Sequence, residues 1–260
     1  MKRIITILLS IIIFSLFGCK KKDKEYDYSK YECVKLDTDR VINWTIDDIK
    51  NGCDLIIVGE ITGDFKQKIY KENGLFTFGY TTASAKVINV IKGDYTKNTI
   101  TLENMYCVLE DENTFVTFSD LKPFEKGDKF IYCLKKDESR NAYCIYGDYS
   151  AIFPYNYDKA SSITSIYNES IDYLSNKETI SIDEIDSYKD THTIFRSVKN
   201  KIYALTNDEA LELRAITTKL ENIKNEINKK DFGIDDFNHY DLMLYAEFIS
   251  EFDLNKIYEL

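Results

Sequence analysis

The chain holds two histidines, His192 and His239, so imidazole chemistry has two places to occur. His239 stands four residues after Asp235 and two before Asp241. On a helix, Asp235 and His239 would share a face and could hold a metal ion. Acids at a helix start also serve the helix dipole with no metal present, and that is the preferred reading. His192, inside Thr191-His192-Thr193, has no local partner and reads as an ordinary polar residue. The acidic run Asp183-Glu184-Ile185-Asp186, with Asp190 nearby, lacks the central glycine of a calcium loop and reads as a solvated face. No Gly-x-Ser-x-Gly elbow, His-Glu-x-x-His pair, phosphate-binding glycine loop or dinucleotide fingerprint occurs. Paired carboxylates can cleave glycosides, but the separation that matters is spatial. The expectation is therefore no catalytic residue, no metal ligand set and no cofactor.

Six cysteines are present: Cys19, Cys33, Cys53, Cys107, Cys133 and Cys144. None is spaced C-x-x-C, which removes the zinc-ribbon and thioredoxin-type readings. Cys53 introduces an apolar strand and reads as a small buried hydrophobe. Residues 129–134 and 142–146 read as a hairpin around Asp137-Glu138-Ser139-Arg140. Centring its turn on Glu138-Ser139 sets Cys133 opposite Cys144. Opposed residues of a non-hydrogen-bonded pair lie about 4.5 Å apart at Cα, near the short end of disulfide geometry. Cys133 and Cys144 are the expected pair if the compartment is oxidising.

The amino terminus narrows the compartment. Met1-Lys2-Arg3 precedes an apolar stretch from Ile4 to Phe17, the layout of a secretory signal. At 1.5 Å per residue that stretch spans about 21 Å, short of the roughly 30 Å hydrocarbon core. It ends Leu16-Phe17-Gly18-Cys19, which resembles the lipobox of bacterial lipoproteins. The resemblance implies a diacylglycerol on the Cys19 thiol and cleavage between Gly18 and Cys19, where only a small residue is admitted. Phe17 is bulkier than that family usually places at its position. Acyl chains at about 0.8 kcal/mol per buried methylene make a stable anchor. Lys20-Lys21-Lys22 would then sit at the headgroups, gaining about 1 kcal/mol each from an anionic surface.

Charge excludes another class of partner. The chain carries 34 basic and 44 acidic residues, a net charge of −10. Loss of Lys2 and Arg3 with the signal leaves 32 against 44, near −12. Phosphate binding needs a basic face, so nucleic acid is not expected as a partner. With two prolines and ten glycines, most of the chain should be regular structure.

The elements follow from periodicity. Residues 19–40 are polar without sustained period and read as a membrane tether. Thr45-Ile46-Asp47-Asp48 starts a short helix ending near Gly52. Strands are expected over 55–58, 75–91, 99–102 and 115–118, then in the hairpin. Cys53-Asp54-Leu55-Ile56-Ile57-Val58-Gly59, Val87 to Gly93 with its closing Lys92-Gly93, and Gly127-Asp128-Lys129-Phe130-Ile131 together resemble the netrin-module family that includes tissue inhibitors of metalloproteinases. The resemblance covers roughly residues 45–150 and implies an OB-type five-stranded barrel. After Pro154 the pattern turns helical. Ile163, Ile166, Ile171 and Leu174 form one stripe, and residues 176–205 are ambiguous. Thr206 with Glu209 is a capping box ahead of Leu213, Ile216, Leu220, Ile223 and Ile227. A second helix from Asp235 should complete an antiparallel helical hairpin.

The expected fold is α+β: a small antiparallel β-barrel, OB- or netrin-like, followed by a helical region. The expected division is 1–18 signal peptide, 19–40 tether, 41–155 barrel and 156–260 helical domain. The expected function is a lipid-anchored lipoprotein on the extracytoplasmic face of the cell membrane. It would bind an envelope protein or glycan without catalysing a reaction. The next readings are a netrin-like protease inhibitor and then a cell-envelope hydrolase. The animal inhibitors chelate zinc through a free amino-terminal cysteine. Here Cys19 would be lipidated and Cys33 and Cys53 are internal, so the resemblance implies fold without that mechanism. Metabolic labelling with a fatty acid should mark the wild-type chain and leave Cys19→Ala unmarked as a larger precursor; equal label on both would remove the lipoprotein reading.

Overall fold

The computed structural model describes residues 26–36, 45–117, 123–146, 152–196, 201–231, 242–253 and 257–258. The expected lipidation and cleavage residues Cys19 and Gly18, and the pair Asp235 and His239, lie outside these. Twelve strands are described: β1 (Glu32–Lys35), β2 (Leu55–Glu72), β3 (Leu75–Lys92), β4 (Thr99–Asn104), β5 (Tyr106–Leu109), β6 (Thr114–Thr117), β7 (Lys129–Asp137), β8 (Ala142–Ile145), β9 (Ile152–Pro154), β10 (Thr179–Ile180), β11 (Thr193–Arg196) and β12 (Ile202–Leu205). The helices are α1 (Ile46–Gly52), α2 (Tyr157–Leu174), the single turn α3 (Ile185–Tyr188), α4 (Asn207–Asp231) and α5 (Leu242–Phe252).

The protein is α+β, with a closed five-stranded barrel at its centre. The strands run β2-β3-β4-β8-β7, and β7 pairs back onto β2. All these ladders are antiparallel except β4 with β8. The sequence features noted above are the parts that close this barrel. Thr45 accepts from the Asp48 amide while the Asp48 carboxylate takes the Thr45 amide, a complete capping box on α1. At the other end of α1, Lys92 Nζ donates to the carbonyls of Lys50 and Cys53, a cation on a helix carboxyl terminus. Gly93 follows with φ +91°, and a Cβ there would lie 2.6 Å from the Asp54 carbonyl oxygen. No other residue fits that crossing. The Gly127 amide donates to Ile61 O and the Ile61 amide to Asp128 O, each at 2.8 Å, pinning the Gly-Asp turn to β2.

The core runs through barrel and helices without a break. Ile57, Tyr132, Leu102 and Leu134 of the barrel belong to the same buried cluster as Ile163 and Tyr167 of α2, Leu220 of α4, and Leu244, Tyr245 and Phe248 of α5. Val58, Ile131 and Phe153 stand in register across β2, β7 and β9 and so share one face of the sheet. Phe153 stacks on Tyr245 at 5.0 Å and 7°, so α5 covers that face. The Tyr245 hydroxyl donates to Pro154 O at 2.6 Å, giving the buried phenol its partner. Among the described helices none is long and apolar enough to cross a membrane.

Three expectations change. Residues 26–36, read as tether, fold onto the body. Tyr26, Tyr28 and Tyr31 pack against the core, and β1 pairs in parallel with β6. β2 does not stop at Gly59 but continues to Glu72. The ambiguous segment forms a second sheet, β10-β12-β11, inside the region expected to be helical. α4 and α5 each pack on α2, and the link expected to turn them into a hairpin lies outside the described residues.

The shared core sets the first structural test. Phe153→Ala should cost about 3–5 kcal/mol, as for large-to-small changes at a fully buried aromatic. Urea unfolding followed by far-UV circular dichroism and by tyrosine fluorescence should remain one coincident transition. Separate transitions would mean that the helices fold independently of the barrel.

Candidate functional site

The β2–β3 hairpin is longer than the barrel needs. Its outer half carries Lys68 opposite Tyr80 and Tyr70 opposite Phe78, so these four share one face. Ile69 opposite Gly79 and Gln67 opposite Thr81 form the other face. That second face is occupied. Ile69 and Phe76 pack on Cys107, Leu109 and Val116 of β5 and β6. The Gln67 side-chain amide both donates to Val108 O and accepts from Val108 N, each at 3.0 Å, in place of a strand residue. Thr81 Oγ1 donates to Tyr106 O at 2.9 Å. Gly79 permits this approach, since a Cβ there would lie 2.3 Å from Cys107 Sγ.

The first face is open in part. The rings of Tyr70, Phe78 and Tyr80 form a triangle with centroids 6.0–6.2 Å apart. Tyr80 is buried beneath it, while Tyr70 is 38% exposed. Lys68 Nζ lies 5.0 Å from the Tyr70 ring. The Arg140 guanidinium lies 4.8 Å over Tyr80 and 5.5 Å over Phe78. Cation–π pairs of this kind contribute about 0.5–1 kcal/mol at exposed sites. Hydrogen bonding from Lys68, with the Tyr80 hydroxyl next, holds the Tyr70 phenol below its ordinary pKa. Desolvation, with Tyr70 next, pushes Tyr80 up.

Arg140 is held by the turn between β7 and β8. Asp137 Oδ1 accepts the Ser139 amide at 2.9 Å and the Arg140 amide at 3.2 Å, and Asn141 closes the turn at φ 51°. The Arg140 guanidinium pairs with Glu103, and its Nε lies 3.3 Å from Asp137 Oδ2. Glu103 is only 2% exposed. Its Oε1 also accepts the Cys144 thiol at 3.5 Å, while Oε2 is buried with no hydrogen bond among the described residues. Burial pushes the Glu103 carboxyl up despite the opposing Arg140 charge. Burial and then the Glu103 charge push the Cys144 thiol up to about 12, so this cysteine is no nucleophile at neutral pH.

That four-residue turn also corrects the cysteine pairing. Asp137 pairs with Ala142, so Cys144 stands opposite Lys135 and not Cys133. Cys133 O instead accepts the Tyr146 amide at 2.9 Å. Cys133 and Cys144 are both free thiols in the structure, as are Cys33, Cys53 and Cys107. Centring the turn one residue too early moves the partner by two.

The other residues with chemical potential are dispersed. Glu184 takes the Ser181 amide at 2.7 Å, and Asp186 pairs with Lys189 at 2.9 Å on the surface. His192 Nδ1 lies 2.8 Å from Thr191 Oγ1, and its ring meets Tyr188 edge-on. Among the described residues no group of three or more His, Cys, Asp or Glu could hold a metal ion. The aromatic triangle and its arginine were not singled out from sequence. The alternation Phe78-x-Tyr80 was visible, but the cross-strand partners need the register. No protein family, curated protein or solved structure matches this chain.

The Arg140–Glu103 pair yields a test of the site's wiring. Arg140→Ala leaves a buried carboxylate unpaired and should cost about 2–3 kcal/mol, discounted because the arginine itself is partly exposed. Glu103→Gln in the same chain should recover most of that loss. Since the folded carboxyl titrates above its unfolded value, its protonated form is the one folding favours. The Arg140→Ala deficit should therefore shrink as pH falls through the raised Glu103 pKa. A deficit in urea unfolding that is constant with pH would place the effect in lost packing instead.

Proposed function

We propose that the protein is an exported lipoprotein, held at the extracytoplasmic membrane face by acylated Cys19, that binds an envelope protein without catalysis. One observation supports the binding surface: the outer half of the β2–β3 hairpin presents Tyr70, Phe78 and Lys68 beside Arg140 on a face that stays partly open, with Tyr70 38% exposed. Tyrosine and arginine are the residue types that dominate interface energetics, because each combines large apolar area with a polar end. The other hairpin face is fixed by Gln67, Ile69 and Thr81, so the rings are held in place before a partner arrives. Leu75, 73% exposed at the hairpin end, extends the same region. The OB-type identity of the barrel belongs to this reading also; it rests on the closed five-strand order and the resemblance of residues 45–150.

A photo-crosslinking residue at position 66, on the tyrosine face, should trap a discrete envelope protein in intact cells. Tyr70→Ala combined with Phe78→Ser should abolish the product, since an aromatic anchor contributes about 2 kcal/mol or more. No product, or a product indifferent to both substitutions, would overturn the assignment. Hydrolysis of peptide, ester or glycoside substrates by the purified chain would overturn the non-catalytic reading.

A further inference from the structure

Among the described residues the second sheet ends on an unpaired strand at each side, and β11 is the longer of the two. β12 lies between β10 and β11. The Ala204 amide donates to Glu178 O at 3.3 Å, toward the β10 side. Strand groups alternate in direction, so Tyr203 and Leu205 turn theirs toward β11 and bond Phe195 and Thr193, their register partners. The amide and carbonyl of Ile194 therefore point away from the sheet. No strand pairs with that side of β11 among the described residues. An unpaired edge is a template for another strand.

Beside this edge lies a groove of about 470 Å³. Its walls are Phe195 and Leu205 from the sheet, and Ala210, Leu211, Leu213 and Arg214 from the first turns of α4. Phe195 packs with Leu205, Leu213 and Ala210, which makes the floor apolar. Leu211 is 63% exposed at the rim. Arg214 is exposed and makes no ion pair among the described residues, although the chain is strongly acidic overall. The start of α4 already carries Asp208 and Glu209, so Arg214 is the cation that the groove offers.

We infer that β11 and this groove bind an extended segment of a partner protein as an added strand. The segment carries apolar side chains at alternate positions and a carboxylate beside Arg214. Ile194 supplies the main-chain bonds, which are indifferent to sequence. One face of the added strand drops its side chains between Phe195 and Leu211, which selects apolar residues there. Arg214 selects a carboxylate at the segment's end over a lysine. The inference takes from the binding-module reading only its class. The groove and the hairpin face are separate surfaces, so peptide binding here can fail while the hairpin cross-link persists, and the reverse.

The probe is a fluorescein-labelled peptide of alternating valine and threonine ending in glutamates, titrated by anisotropy into the full chain in detergent. Saturable binding in the micromolar range is expected. Leu211→Asp should weaken it at least about tenfold. Arg214→Glu should do the same and should transfer the preference to a lysine-ended peptide. Both positions are exposed on α4, and unchanged thermal unfolding of the variants would show that the fold is kept. N-methylation of the central peptide amides should abolish binding, since it removes the ladder bonds. Absence of saturable binding, equal binding of the N-methylated peptide, or indifference to both substitutions would overturn the inference. So would a concentration-dependent dimer lost in Leu211→Asp without peptide binding, which would assign the edge to a second copy of this chain.

Discussion

A sheet with two open edges invites pairing with other chains, and β2 removes both edges of the central sheet at once. It bonds β3 along one side and β7 along the other. Closure is what lets a short buried run, Leu55 to Val58, organise the molecule, since every strand of the barrel is fixed relative to these residues. It also divides the barrel's outside into sectors with different needs. The sector over β2, β7 and β9 is apolar and is covered by α2 and α5. On β4 the buried Glu103 is met by the Arg140 guanidinium and the Cys144 thiol. The hairpin beyond the barrel packs closely on one face, while on the other Arg140 lies against Tyr80 and Phe78 and Tyr70 stays 38% exposed.

Where the sequence could be read, local chemistry decided the structure. The Thr45 and Thr206 boxes start α1 and α4 because their carboxylates lie three residues on and need no distant partner. Leu55 to Val58 and the strand from Leu75 are apolar or alternating over their own length. Reading failed where distant chain segments decide. Gly59 and Thr62-Gly63-Asp64 look like strand stops, yet they form irregularities inside β2, with φ of 122° at Gly63 and 56° at Asp64. The barrel wall behind them holds the strand together. β5 is four residues long and acquires its state from β6 and from the Gln67 side chain. The candidate site is of this second kind. Glu103 and Arg140 are 37 residues apart and meet only because β4 and β8 run parallel.

The Glu103–Arg140 pair contributes more to arrangement than to stability. Burying a carboxylate costs several kcal/mol, and its partner repays that only when the geometry is good. A hydrophobic pair could replace it at no loss of stability. What it supplies is a fixed position: anchored by Glu103 and Asp137, the guanidinium is held 4.8 Å from the Tyr80 ring and 5.5 Å from the Phe78 ring. The same low-polarity surroundings keep Cys144 protonated, and burial likewise raises Cys107 to about 11, so the thiols near the hairpin behave as packing groups.

The parallel pairing of β1 with β6 has a mechanical meaning. Tyr26, the first described residue, stands seven positions after Cys19, and seven residues reach at most about 25 Å. A pull from the amino-terminal side reaches β1 at Glu32. Because β1 lies alongside β6 over Glu32 to Lys35, a pull on its amino end runs along the strands and loads the ladder bonds together. They do not open one at a time, as they would in a zipper. The tyrosines at 26, 28 and 31, wedged against Tyr106, Phe115 and each other, add friction ahead of that shear joint. The amino-terminal end of the described chain is built like a mooring cleat, with the rope wrapped before it is tied.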